Sequence, residues 1–156
     1  MKSSLYIGID PGKSGSVAFI DDYTGDVWSF KLDCTDRDIA DGVRDALFTQ
    51  DGGAADAFAV IEKVHSSPQM GVKSAFTFGQ SFGKLEMVLN CMGIRFEYVT
   101  PAKWQGDMKC RTGGDKNITK AAAQRLFPDM KIIHANADAI LLAEYARRLD
   151  IAMARK

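Results

Sequence analysis

Hydrophobic positions along the chain switch repeatedly between a period of two and a period near 3.6, and each switch predicts an element. Residues 5–10 (LYIGID) and 16–20 (SVAFI) flank a Pro11-Gly12 turn, and residues 27–32 (VWSFKL) alternate in strand fashion after Thr24-Gly25. Three short strands joined by tight turns predict an antiparallel meander. Ile39, Val43, Ala46 and Leu47 then fall at helical spacing behind the cap candidates Thr35 and Asp36, with Gly52-Gly53 as the stop. Residues 57–61 (AFAVI) are apolar throughout, as in a central strand covered on both faces.

Phe78, Phe82, Leu85, Leu89 and Met92 recur at helical intervals, so a longer helix is predicted over about 72–92, stopped by Gly93. A strand over 95–100 (RFEYVT) follows, then Pro101 and a loop containing Gly106 and Gly113-Gly114. Helices over about 116–127 and 136–151 complete the chain. The order β-β-β-α-β-α-β-α-α predicts an α/β fold: a mixed five-stranded sheet with the meander at one edge and helices on both faces.

The 156 residues, 46% of them hydrophobic, suffice for one core, so residues 1–156 are expected to form a single domain. No secretory leader is apparent and no apolar run approaches a membrane span, which predicts a soluble, cytoplasmic protein. Cys34, Cys91 and Cys110 are too few and too widely spaced for a disulfide framework or a zinc site, and are expected to be reduced thiols.

Lys plus Arg and Asp plus Glu number 20 each, so global charge gives no support to nucleic-acid binding. The distribution changes the picture. Residues 21–56 hold ten Asp against three basic residues, whereas residues 101–131 hold seven Lys or Arg against three Asp. A local basic surface of this kind can bind phosphate, although such clusters also occur as ordinary solvated faces.

Three acids stand where acids need a reason. Asp10 ends the first strand beside a turn, and Glu62 ends the apolar strand predicted to lie next to it. Asp138 sits in the apolar stretch Ala137-Asp138-Ala139-Ile140-Leu141-Leu142. Carboxylates gathered at one sheet edge repel one another and call for a cation, and hard oxygen donors suit Mg2+ or Mn2+. Two such ions serve phosphodiester hydrolysis. Each acid also has an ordinary alternative: Asp10 as a turn residue, Glu62 as a salt-bridge partner, Asp138 as an anion at a helix start.

Taken in order, Ile7-Gly8-Ile9-Asp10-Pro11-Gly12, Val60-Ile61-Glu62-Lys63-Val64, Phe78-Gly79-Gln80-Ser81-Phe82-Gly83 and Ala137-Asp138-Ala139 resemble the RuvC Holliday-junction resolvases, especially their phage-type relatives. The resemblance spans nearly the whole chain. It implies a ribonuclease H-like fold, a homodimer, and Mg2+-dependent symmetric nicking of branched DNA such as a four-way junction. Asp10, Glu62 and Asp138 match three of the family's metal-binding carboxylates. Where the family commonly has Asp or His three residues before the last Asp, this chain has Ala135, and His134, four residues before Asp138, is the expected substitute as metal ligand or proton carrier.

The resemblance also implies phosphate contacts from basic residues after the fifth strand, best matched by Lys103 and Lys116, with Lys109, Arg111 and Lys120 nearby. His65 stands where the family often has an aromatic that stacks at the junction centre, and it stacks less well. The helix with Phe76, Phe78 and Phe82 is the family's dimerisation element, which Gly79 and Gly83 would let a second helix approach.

Three rival readings share some of these features. A sugar-kinase or actin-type ATPase shares an Asp-containing strand and Gly-rich turn, but needs two such domains, so no nucleotide cofactor is expected. A RuvC-like RNA-processing nuclease would use similar carboxylates, and a junction-binding protein without cleavage would keep only the basic surface.

Overall fold

Strands β1 (Ser4–Asp10), β2 (Ser16–Asp21) and β3 (Val27–Lys31) form the antiparallel meander that the alternating pattern predicts. The computed structural model describes residues 4–48, 55–65 and 67–155. β4 (Asp56–Glu62) pairs parallel with β1, and β5 (Arg95–Val99) pairs parallel with β4, giving the sheet order β3-β2-β1-β4-β5. Among the described residues there are five helices: α1 (Asp36–Leu47), α2 (Val72–Cys91), α3 (Pro101–Asp107), α4 (Lys116–Leu126) and α5 (His134–Ala154).

The period-two alternation of the central strands divides the core in two. Leu5, Ile7 and Ile9 of β1 and Ala57, Ala59 and Ile61 of β4 face Ile39, Val43, Leu85 and Leu89 of α1 and α2. Tyr6, Phe58 and Val60 face the other way, into a cluster with Trp104, Ala122, Ala123 and the long buried run of α5. Leu141 and Leu142 of that run are fully enclosed, each contributing about 1.5–3 kcal/mol of burial. Helices thus cover both faces, as predicted.

Gly8 sets how close α5 lies to the sheet. A Cβ there would stand 2.1 Å from the Ala139 carbonyl oxygen and 2.2 Å from the Ala143 nitrogen, both backbone atoms. Tyr6 hydroxyl donates to Asp150 near the other end of α5. The helix therefore runs antiparallel to β1, with its N-terminus over the end of β1 that carries Asp10.

Local chemistry explains the helix starts. Thr35 and Asp38 form a reciprocal capping box for α1, at 3.1 and 3.0 Å. The expected Gly52-Gly53 stop lies outside the described residues; α1 ends at Leu47. Two expectations need correction. Residues 101–107, read as a loop around Gly106, form α3, because Thr100 caps it and Pro101 takes the first helical position, where its missing N–H costs nothing. The last helix begins at His134, two residues earlier than expected, because the Asn136 side chain turns back to accept from the Ile133 N–H at 2.8 Å. Among the described residues no helix is long and apolar enough to cross a membrane.

Candidate active site

Ile9 faces Ile61 in the parallel ladder, and Asp10 and Glu62 are the next residue on each strand. Both acids follow Tyr6 and Phe58 at even spacing, so both stand on the α5 side of the sheet. Asp138, in the first turns of α5, is adjacent in sequence to Ala139, whose carbonyl lies against Gly8. The α5 N-terminus is fastened there: Ser16, the β2 residue paired with Asp10, donates to the Ala135 carbonyl at 2.6 Å. Asn136 adds donations to Ser29 Oγ at 3.3 Å and to the Lys131 carbonyl at 3.2 Å.

The three carboxylates act on one another. Burial, then the charges of Glu62 and Asp138, push the Asp10 carboxyl up to about 7, against the opposing pull of the Lys116 ammonium. Burial also raises Glu62, as does the charge of Asp138, while a hydrogen bond from Trp104 works the other way. That bond, from the indole Nε1 to Glu62 Oε2 at 2.6 Å, joins two buried side chains. Asp138 Oδ1 is buried without a hydrogen-bond partner. Asp138 also raises the thiol of buried Cys110, after burial itself, which places that thiol near the same cluster.

An orphaned carboxylate oxygen and an Asp held near neutrality fit a site that receives positive charge. The donor set is chemically suited to a hard divalent cation. It is not a ready-made cage: among the described residues no three His, Cys, Asp or Glu side chains are grouped closely enough to hold a metal ion as they stand. A cation would therefore have to draw the carboxylates together.

His134 is the first residue of α5 and exposed, one helical turn before Asp138. Of residues 134–136, Ala135 carries no donor side chain and the Asn136 amide is already engaged, which leaves His134 as the candidate ligand to join Asp138 at this helix start. Lys116, at the start of α4, is exposed, and among the described residues its charge opposes the rise at Asp10. Lys120 follows one turn later on α4 and is half-buried.

Other candidate residues lie differently. Lys103 is ion-paired to Asp107 at 2.7 Å on α3, and Asp107 also accepts from the Tyr145 hydroxyl. Arg111 packs against Gly106, and its charge bears on Asp107. Lys109 is exposed in the turn after α3, with φ of 55°. His65 is exposed three residues beyond Glu62. On α2, Val72, Phe76 and Met87 are exposed, and a Cβ on Gly79 or Gly83 would meet nothing within 4 Å.

Trp104 and Ser16 were not anticipated from sequence. The Trp104 to Glu62 contact spans 42 positions and leaves no local signature. Only the Thr100-Pro101 pair, a helix-start signal, could have placed Trp104 on a helix facing the core.

Strand order, central parallel pair and helices on both faces together define a ribonuclease H-like α/β fold. Among solved structures, the chain is similar to Thermus thermophilus RuvC, with a TM-score of 0.60 and 14% identity over 94% of this chain and 96% of that one. T. thermophilus RuvC in complex with Holliday junction substrate matches with a TM-score of 0.59, 14% identity and the same coverage. The chain thus has the RuvC fold. No sequence-family profile and no curated protein matches it.

Proposed function

We propose that this protein is a single-domain, cytoplasmic, divalent-metal-dependent endonuclease that resolves four-way DNA junctions and related branched DNA by paired, symmetric nicks. The observation that carries this reading is the placement of Asp10 and Glu62 at the same end of the paired strands β1 and β4, on the α5 side, where the start of α5 brings Asp138 with a buried Oδ1 that has no hydrogen-bond partner. T. thermophilus RuvC is known bound to a Holliday junction substrate, and the shared fold supports the same class of substrate here.

In this reading Asp10, Glu62 and Asp138, with His134 one turn before Asp138, hold Mg2+ or Mn2+. When bound, such ions supply a polarised water and a counter-charge for the leaving oxygen. The chain's own residues do the rest. Lys116 brings an ammonium to the Asp10 side of the site, where it can hold a non-bridging phosphate oxygen as a point charge. Lys120 on α4 and Lys109 and Arg111 between α3 and α4 offer positive charge to the flanking backbone, Lys103 does so by exchanging its Asp107 partner for a phosphate, and His65 would face the junction centre.

Lys116→Ala should lower nicking by about a hundredfold while leaving metal affinity nearly unchanged, because it removes a phosphate contact and no carboxylate. Nicking rates and Mn2+ calorimetry on the same variant check this; equal losses in both would refute the role.

A junction has two-fold symmetry, which an isologous dimer with two sites can match. The exposed α2 stripe Val72, Phe76, Gly79, Gly83 and Met87 has the three- and four-residue spacing of a helix-pairing face. Phe76→Lys is expected to give a monomer in sedimentation velocity and to uncouple the two nicks; a variant that stays dimeric and nicks in pairs would remove α2 as the interface.

The deciding experiment incubates the protein with end-labelled four-way junctions and with structured RNA, under Mg2+ and Mn2+. Paired nicks in the DNA junction are expected. Binding without nicking would favour a non-cleaving junction protein, and selective RNA cleavage an RNA-processing nuclease.

A further inference from the structure

We propose that Trp104 is a positioning residue for the site: its indole N–H fixes which oxygen of Glu62 is free to ligate. The inference rests on the nuclease reading above and deepens it.

Trp104 is fully buried, and its placement is over-determined. Thr100 caps α3 and accepts the Trp104 N–H at 3.2 Å, while the Trp104 carbonyl accepts from Met108 at 2.9 Å. The ring is packed in the α5-side cluster that also holds Val99, Cys110 and Ala139. A buried indole needs an acceptor, and a backbone carbonyl would have satisfied it at no cost. Here the acceptor is one oxygen of a buried carboxylate, at the short separation of a charge-assisted bond.

Consequences follow for Glu62. Its Oε2 is occupied, while Oε1 accepts no hydrogen bond among the described residues. With Oε2 tied to α3, the carboxylate plane is held by an element that neither β1 nor α5 supplies. Strand register places Asp10 and Glu62, the Ser16 and Gly8 contacts of α5 place Asp138, and of the three side chains that of Glu62 is the one oriented by an indole. Because the acids are not yet grouped as a cage, an untethered Glu62 would have the most freedom to turn away when a cation arrives. Outer partners of ligating carboxylates act in this way in metal sites generally.

The test uses Trp104→Phe in the full chain, which keeps an aromatic ring and removes the donor. Mn2+ affinity by calorimetry is expected to weaken by about tenfold or more. The thermal melt should fall by several degrees, because a buried ring shrinks and Glu62 Oε2 loses its donor, while metal-free junction affinity should stay near wild type. In the 15N-labelled wild type, which has two Trp residues, Mg2+ should shift the Trp104 indole resonance and leave that of Trp28 in place.

Unchanged Mn2+ affinity in Trp104→Phe overturns the inference, leaving Trp104 as core packing. If that variant does not fold, the wild-type indole titration decides, and no response of Trp104 to saturating Mg2+ overturns it. Asp10→Asn run in parallel separates the two levels. Metal binding lost in Asp10→Asn but intact in Trp104→Phe sinks the positioning role alone, whereas a wild type that binds no Mn2+ sinks the nuclease reading and this inference with it.

Discussion

Asp10→Asn is expected to reduce junction nicking by more than about a thousandfold, to leave junction binding intact, and to make the metal-free protein more stable at pH 8 than the wild type. The first two effects follow from removing one central donor without touching the basic surface. The third follows from the carboxyl's elevation to about 7 from an ordinary value of 3.8. Between those values the folded protein binds more protons than the unfolded chain, so this group's contribution falls as pH rises from about 4 to about 7 and is fully lost above that. Asparagine carries no charge to bury. The stability gain should be on the order of 2 kcal/mol at pH 8, about 5 °C in Tm, and should shrink toward pH 5. Saturating Mg2+ should reverse the order, because the cation then stabilises only the wild type. Nicking assays and melts at pH 5 and pH 8, with and without Mg2+, check every part. A melting difference independent of pH would show that Asp10 is not held protonated, and nicking that survives the change would remove Asp10 from the chemistry.

Much of this arrangement was legible because it rests on period-two parity. Asp10 and Glu62 each end an apolar strand, and once β1 and β4 pair in parallel the two acids share a face. Asp138 was legible by its incongruity, an acid inside a run that the structure buries for almost its whole length. What escaped depended on contacts between distant segments. Gly106 weighed toward a loop although Thr100 and Pro101 carried a helix start, and the hydrogen bond that gives α3 its role lies between α3 and β4. Asn136 flanks the expected ligand position, Ala135, on the side away from His134, and nothing local announces that its amide is spent on the helix cap and on Ser29. Within the basic segment Lys103, on α3, is tied to Asp107, while the charge of Lys116, at the start of α4, bears on Asp10, a division that no local pattern announces.

Gly8→Ala is expected to cost more than about 3 kcal/mol and to take the site with it, although glycine to alanine in a strand is usually mild or favourable. The added methyl would meet the Ala139 carbonyl oxygen at 2.1 Å, the Ala143 nitrogen at 2.2 Å and the Leu142 carbonyl carbon at 2.7 Å. These are backbone atoms of a continuous helix, so no rotamer change can clear the space. Either α5 lifts from the sheet by on the order of 1 Å or β1 bends, and both loosen a dense layer built on Ala139, Leu142 and Ala143. Asp138 precedes Ala139 directly, so any displacement of α5 also moves one of the three acids away from Asp10. The matched control is Gly71→Ala, at the start of α2, where a Cβ meets nothing within 4 Å and φ is −60°, and which should melt within a degree or two of wild type. Urea unfolding of both variants, with Mn2+ calorimetry on whatever Gly8→Ala protein remains folded, separates the effects. A Gly8→Ala protein that melts like the control would mean that α5 does not rest on β1 at this distance, and the placement of Asp138 beside Asp10 would fall with that contact.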